Sequence, residues 1–167
     1  MIVKAADGRI TFPADAPFDA ESMLAEPLVA RVASPGPVVR PVWYLWERSA
    51  FWVFIGPWSR LLGQLPRTPD FNLVVDVCDV HTGTVRQVRA RGTGTVEPFD
   101  VHLARRKLVR YLGPDETRWD PRFSLAGDTE ARGLRLARLA PDVMSLHDMS
   151  FHPSLPDPEN RDGEVPH

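Results

Sequence analysis

The sequence predicts a mainly β domain with minor α content, an antiparallel barrel carrying short helices. Runs rich in β-branched and aromatic residues follow one another from Leu28 onward, and the connections between them are too short for a parallel crossover. Helical spacing appears only in brief segments between these runs, whereas a doubly wound sheet would alternate strand and helix throughout. The chain of 167 residues suits one domain with a substantial core.

Residues 1–20 are rich in Pro, Ala, Asp and Gly without periodicity and read as an N-terminal arm outside the core, ahead of a barrel domain over 21–151. Asp19 or Ser22 can cap a short helix through Leu24 that ends before Pro27. LVARVAS from Leu28, VVRPVWYLWE from Val38 and AFWVFIG from Ala50 then read as a three-strand meander, with turns at Ser34-Pro35-Gly36-Pro37 and Arg48-Ser49. Pro41 places its part of the second strand at a sheet edge, a bulge or a gap facing a ligand.

After Gly56-Pro57, Ser59 opens a segment with Leu61, Leu62 and Leu65 at helical spacing, closed by Pro66 and Pro69. FNLVVDVCD is a nearly continuous apolar run, expected to be buried on both faces, and DVHTG is its loop. TVRQVRARGTGTVEPF alternates, with an inward set of Val85, Gln87, Arg89 and Arg91 or the complement. Residues 101–112 predict an amphipathic helix capped by Asp100 and stopped by Gly113-Pro114, whose basic face of Arg105, Arg106, Lys107 and Arg110 reads as solvated surface in preference to a phosphate or nucleic-acid site. RWDPRFSLAGDTEARG reads as a helical turn plus loop, and GLRLARLA and VMSLHDMSF as final strands, for six or seven strands in all. Residues 152–167 are polar and proline-rich and are expected to form a mobile tail.

A net charge of -2 gives no sign of a polyanionic partner, so nucleic acid is not expected. No run approaches the roughly 18 apolar residues of a membrane span, and the first residues lack the apolar stretch of a signal peptide, so the expected location is the cytoplasm. The lone Cys78 excludes an intrachain disulfide and a four-thiolate zinc site, and reads as a small strand residue. The five histidines share no metal-ligand spacing, and no metal is expected. Arginine outnumbers lysine 18 to 2, the lysines being Lys4 and Lys107.

No GxGxxG, Walker A, HExxH or GxSxG motif is present. Gly56-Pro57-Trp58-Ser59-Arg60 sets a hydroxyl and a guanidinium at a helix start. That arrangement reads either as a phosphate cradle or as an N-cap serine beside a surface arginine.

The stretch VVRPVWYLWERSAFWVFIGPWSRLLGQLPRTPDFNLVVDV, followed by Arg86-Gln87-Val88, RYLG, RWDPRF and Asp148-Met149-Ser150-Phe151, resembles the pyridoxamine 5'-phosphate oxidase family from about Leu28 to Phe151. The resemblance implies an FMN-binding split β-barrel in a homodimer, with the flavin at the interface between copies. It implies that Ser59 and Arg60 bind the cofactor phosphate, that Gln87, beside Arg86, bonds the ring system, and that Arg40, Pro41, Val42, Trp43, Tyr44, Phe54 and Ile55 line the cofactor. Where the family carries a lysine after Ser-Arg, this chain has Leu61, which removes one charge from the phosphate site. Smaller members of the class use FMN or the deazaflavin coenzyme F-420. The arginine-rich substrate signature of true pyridoxamine phosphate oxidases is missing, so vitamin B6 oxidation is not expected. The implied function is an FMN-dependent oxidoreductase that transfers hydride or electrons to or from a small organic substrate. A deazaflavin-dependent reductase is the alternative, and a non-catalytic binder of flavin, haem or another planar ligand is the alternative of a different class. No catalytic acid or base stands out in the sequence.

Overall fold

Alternating apolar residues build eight antiparallel strands in the computed structural model, which describes residues 1–34 and 38–153. They are β1 (Ile2–Lys4), β2 (Val29–Ser34), β3 (Val38–Trp43), β4 (Leu45–Glu47), β5 (Ala50–Ile55), β6 (Asp70–Asp79), β7 (Thr84–Pro98) and β8 (Arg135–Asp148). The sheet order is β3-β2-β6-β7-β8-β5-β4, with β1 added beside β8. Helices α1 (Ala20–Ala25), α2 (Arg60–Gln64) and α3 (Val101–Leu112) and two 3-10 turns, at Glu116–Arg118 and Pro121–Phe123, occupy the connections. Residues 35–37 of the expected turn after Ser34, and residues 154–167 of the expected tail, lie outside the described residues.

The expected meander divides at its middle strand. β2 pairs with β3 and β4 with β5, but the chain leaves the ladder at Tyr44, so β3 and β4 end up on opposite edges of the sheet. One continuous segment, 38–47, therefore joins both edges, and the sheet curls into a half-barrel. Apolar character marks this run as strand but carries no information about which partner each half takes. Pro41 sits on the edge strand β3 opposite Arg31, where its missing N–H costs no second ladder. Arg48 and Ser49, at φ 54° and 53°, form the two-residue left-handed turn that links β4 to β5.

β6 is not buried on both faces. Phe71, Leu73 and Val75 enter the core while Asn72 is exposed and Val74 and Asp76 are half-buried, because the outer face of the half-barrel stays open. On β7 the inward set is the complement of the polar one, with Val88 and Ala90 inside and Arg89 and Arg91 exposed. The ladder shifts register between Arg91 and Gly92, where a Cβ on Gly92 would stand 2.1 Å from the Ala140 carbonyl oxygen. The two expected final strands are one, since β8 runs on through Pro141 opposite this bulge.

The N-terminal residues are not an arm outside the core. Ile2–Lys4 pairs with Val143–Ser145, and Val3, Ile10 and Phe18 are buried in the main core. Single apolar residues inserted at irregular intervals leave no period to detect, yet the backbone bonds to β8 hold the segment in place. Asp19 caps α1 by accepting from the Ser22 N–H, and Met23 and Leu24 close one side of the core.

Candidate functional site

The loss of pairing at Tyr44 leaves β3 and β5 side by side without a shared ladder, and a cavity of about 460 Å³ lies along them. Arg40, Pro41, Val42 and Trp43 of β3, Phe54 of β5, and Ser59 and Arg60 at the start of α2 all line it. Seven of the expected cofactor residues thus meet around one space. Tyr44 and Ile55 do not reach it: both are buried to about 1% exposure or less, Tyr44 packed edge-on against Phe51. Strand alternation, together with the break at Tyr44, turns these two side chains into the core behind the cavity wall.

Arg86 and Gln87 line none of the cavities described here. The Arg86 guanidinium lies over the Phe18 ring and 3.6 Å from Asp148, while the Gln87 side chain accepts a 2.5 Å bond from Arg89. Asp148 is thereby committed to Arg86 and the Ser150 N–H. The Ser145 hydroxyl, 3.3 Å from His147, stands without a carboxylate partner in a triad.

Ser59 occupies the N-cap position of α2, yet its hydroxyl makes no capping bond. Ser59 lines the cavity beside Arg60, which is exposed and forms no ion pair among the described residues. Trp58 projects at the mouth, 69% exposed, its indole lying over Gly56 so closely that a Cβ there would stand 2.5 Å from the ring.

The sequence reading missed Lys107. Assigned to a solvated basic face, it is 4% exposed and points from α3 into the cavity, its ammonium 3.8 Å from the centre of the Phe54 ring. Among the described residues no carboxylate forms an ion pair with it, and burial lowers its pKa from the ordinary 10.5 to about 7. The other basic residues of the helix do lie outside: Arg105 pairs with Glu116, and Arg106 forks onto Glu47. Spacing carried the signal, because Leu103, Ala104, Lys107 and Leu108 form one buried stripe at helical intervals.

One turn further along α3, the Tyr111 hydroxyl accepts from the Tyr44 N–H at 3.1 Å and lies 2.6 Å from the Leu28 carbonyl and 3.1 Å from the Tyr44 carbonyl. It supplies the partners that the sheet gives up at the break. The Tyr111 ring stacks on Trp43 at 4.6 Å, and Phe123 stacks near Trp43 at 5.4 Å. A second cavity of about 300 Å³ adjoins the first, sharing Trp43, Phe54, Trp58 and Lys107 and adding Phe99, Phe123 and Leu134. Among the described residues, no Asp, Glu or His lines either cavity. Among the described residues, no three His, Cys, Asp or Glu side chains gather into a group able to hold a metal, and no helix is long and apolar enough to cross a membrane.

No protein-family model matches the chain, and no curated protein matches it in sequence. Solved structures do match. The chain resembles the conserved hypothetical protein Rv2991 of Mycobacterium tuberculosis with a TM-score of 0.65 at 16% identity, covering 89% of this chain and 99% of that one. It resembles an FAD and heme binding protein of Mycobacterium smegmatis with a TM-score of 0.61 at 16% identity, over 88% and 79% of the two chains. It also resembles a protein described as an F420 reductase, with a TM-score of 0.58 at 17% identity, over 78% and 98%. At these identities the likeness shows the fold: an antiparallel split β-barrel of the kind found in flavin- and F420-binding and pyridoxamine 5'-phosphate oxidase-like proteins.

Proposed function

We propose that the chain is a pyridoxamine 5'-phosphate oxidase-like flavoprotein that holds FMN in the larger cavity and moves hydride or electrons to or from a small organic substrate. The observation that carries this reading is the cavity itself, where Arg40, Arg60 and Lys107 converge with the unused Ser59 hydroxyl on a space walled by Trp43, Phe54 and Trp58 and free of carboxylates. Its volume of about 460 Å³ is that of a cofactor-sized site. A phosphate fits the cationic end by charge, and a planar ring system fits the aromatic walls by shape. Leu61, buried at the cavity floor, removes the lysine that the family places after Ser-Arg, while Lys107 brings a cation to the same space from α3.

A bound flavin would supply the redox chemistry. The protein's own part is to anchor the phosphate through Ser59 and Arg60, and to hold the ring system between flat apolar walls that exclude water. A homodimer belongs to the same reading. Trp58 at the cavity mouth and Val39, next to the lining residue Val38, expose 69% and 61% of their surface, and light scattering would then report twice the 18.7 kDa chain mass.

Titration of the purified protein with FMN, riboflavin and the deazaflavin coenzyme, followed by absorbance and flavin fluorescence, tests the proposal. FMN is expected to bind, and Arg60→Ala to weaken it by about 10- to 150-fold while leaving riboflavin nearly unchanged, because only the phosphate loses a charge-assisted bond of roughly 1.5–3 kcal/mol. Equal losses for both would make Arg60 a surface residue. Binding of the deazaflavin alone would replace FMN by its relative, and failure of all three ligands would refute the reading.

A further inference from the structure

We infer that the second cavity is a site for a small, flat organic carboxylate, with Lys107 as the group that receives its negative charge. Phe54, Phe99, Phe123 and Leu134 give this space apolar and aromatic walls, while the charged residues on its lining are Lys107, Arg122 and Arg132 and none is acidic. A purely apolar cavity would suit a neutral ligand, but a cationic one walled by aromatic rings suits a flat anion.

The three cations are not equivalent. Arg122 is exposed and forks onto Asp120, which lies outside the lining, and Arg132 is exposed and bonds the Ser124 carbonyl. Of the three, Lys107 alone is buried, its ammonium over the Phe54 ring face, and among the described residues no carboxylate forms an ion pair with it. An ammonium kept out of water with nothing but a ring face beside it has its charge-balancing partner still to come. A ligand carboxylate would raise its pKa and draw a proton from solvent on binding. The groups facing this space from the neighbouring elements are Arg40 and Arg60 through the larger cavity and Arg122 and Arg132 from the loop before β8. All four are arginines, so Lys107 is the one lysine among the charged groups on the two linings.

That the carboxylate is the substrate rests on the flavoprotein reading; that the cavity binds it does not. The test uses the full chain without added cofactor and calorimetric titration with 2-naphthoate and its neutral counterpart 2-naphthamide. At about pH 7.5 naphthoate is expected to bind about ten-fold tighter or better, with uptake of a fraction of one proton revealed by comparing buffers of different ionisation heat. Lys107→Met is expected to abolish both the preference and the proton uptake, and Lys107→Arg to keep the preference without the uptake, since arginine stays charged. Equal affinity for the two probes, no binding of naphthoate, or a preference that survives in Lys107→Met would overturn the inference. Should Lys107→Met fail to fold, the wild-type preference and proton uptake decide. Naphthoate binding in a protein that ignores every flavin would uphold this site while defeating the cofactor reading.

Discussion

Replacing Lys107 with methionine should stabilise the fold, and by an amount that depends on pH. The methionine keeps the length of the aliphatic stem and removes the ammonium of a residue that is 4% exposed and has no ion-pair partner among the described residues. In the folded protein Lys107 loses its proton near pH 7, in the unfolded chain near 10.5. Between those limits the unfolded chain binds more protons than the folded one, so wild-type stability rises with pH across the window. Below it the lysine must fold charged or give up its proton, a difference of roughly 5 kcal/mol from the gap between the two values. The gain for Lys107→Met is therefore largest at or below neutrality, at most roughly 5 kcal/mol, and shrinks towards zero near pH 10.5. Urea denaturation of both proteins at a series of pH values measures it directly. A stability difference that stays flat with pH, or a variant less stable than wild type at pH 7, would refute the placement of an uncompensated lysine in the cavity wall.

Two tyrosines yield opposite expectations for the same small change. The Tyr44 hydroxyl is fully buried with no hydrogen-bond partner among the described residues, and desolvation drives its pKa upward, so Tyr44→Phe should raise stability by about 1 kcal/mol and Tm by roughly 2–4 °C in a thermal melt. A loss of more than about 1 kcal/mol would mean that the hydroxyl is satisfied after all. Tyr111→Phe removes the hydroxyl that serves the Tyr44 N–H and the Leu28 and Tyr44 carbonyls, and should cost about 2–3 kcal/mol, or roughly 5–10 °C. An unchanged melt would show that the strand break is held by something else.

The strands were legible wherever local pattern decides, and illegible wherever partnership does. Val29–Ser34 and Ala50–Ile55 follow from composition, and Asp100 and Gly113 bound α3 as capping chemistry requires. Nothing local distinguishes the halves of the run 38–47, because the choice of partner for β3 and β4 is made by β2 and β5. Pro141 lies between the two expected final strands, yet the bulge across from it at Gly92 absorbs the proline without ending β8. Of the cavity residues, Arg40, Ser59 and Arg60 were found because a motif surrounds them. Lys107 was hidden by its neighbours Arg105 and Arg106, although a lysine at a stripe position of a chain that otherwise uses arginine is a contrast visible in the sequence.

The break at Tyr44 is what opens the cavity in this half-barrel. If the run 38–47 had paired along its whole length with β5, as a plain meander does, backbone hydrogen bonds would fill the space between β3 and β5 and leave no room for a cavity. Pro41 cannot offer an N–H to a new neighbour on this edge, and the Tyr111 hydroxyl pairs with the N–H and carbonyl released at Tyr44. The same helix that carries Tyr111 carries Lys107 one turn earlier, and the ring of Tyr111 stacks on the Trp43 wall. One element thus stabilises the break, shapes the wall and delivers the buried charge, which ties the position of the site to the connectivity of the fold rather than to any single motif.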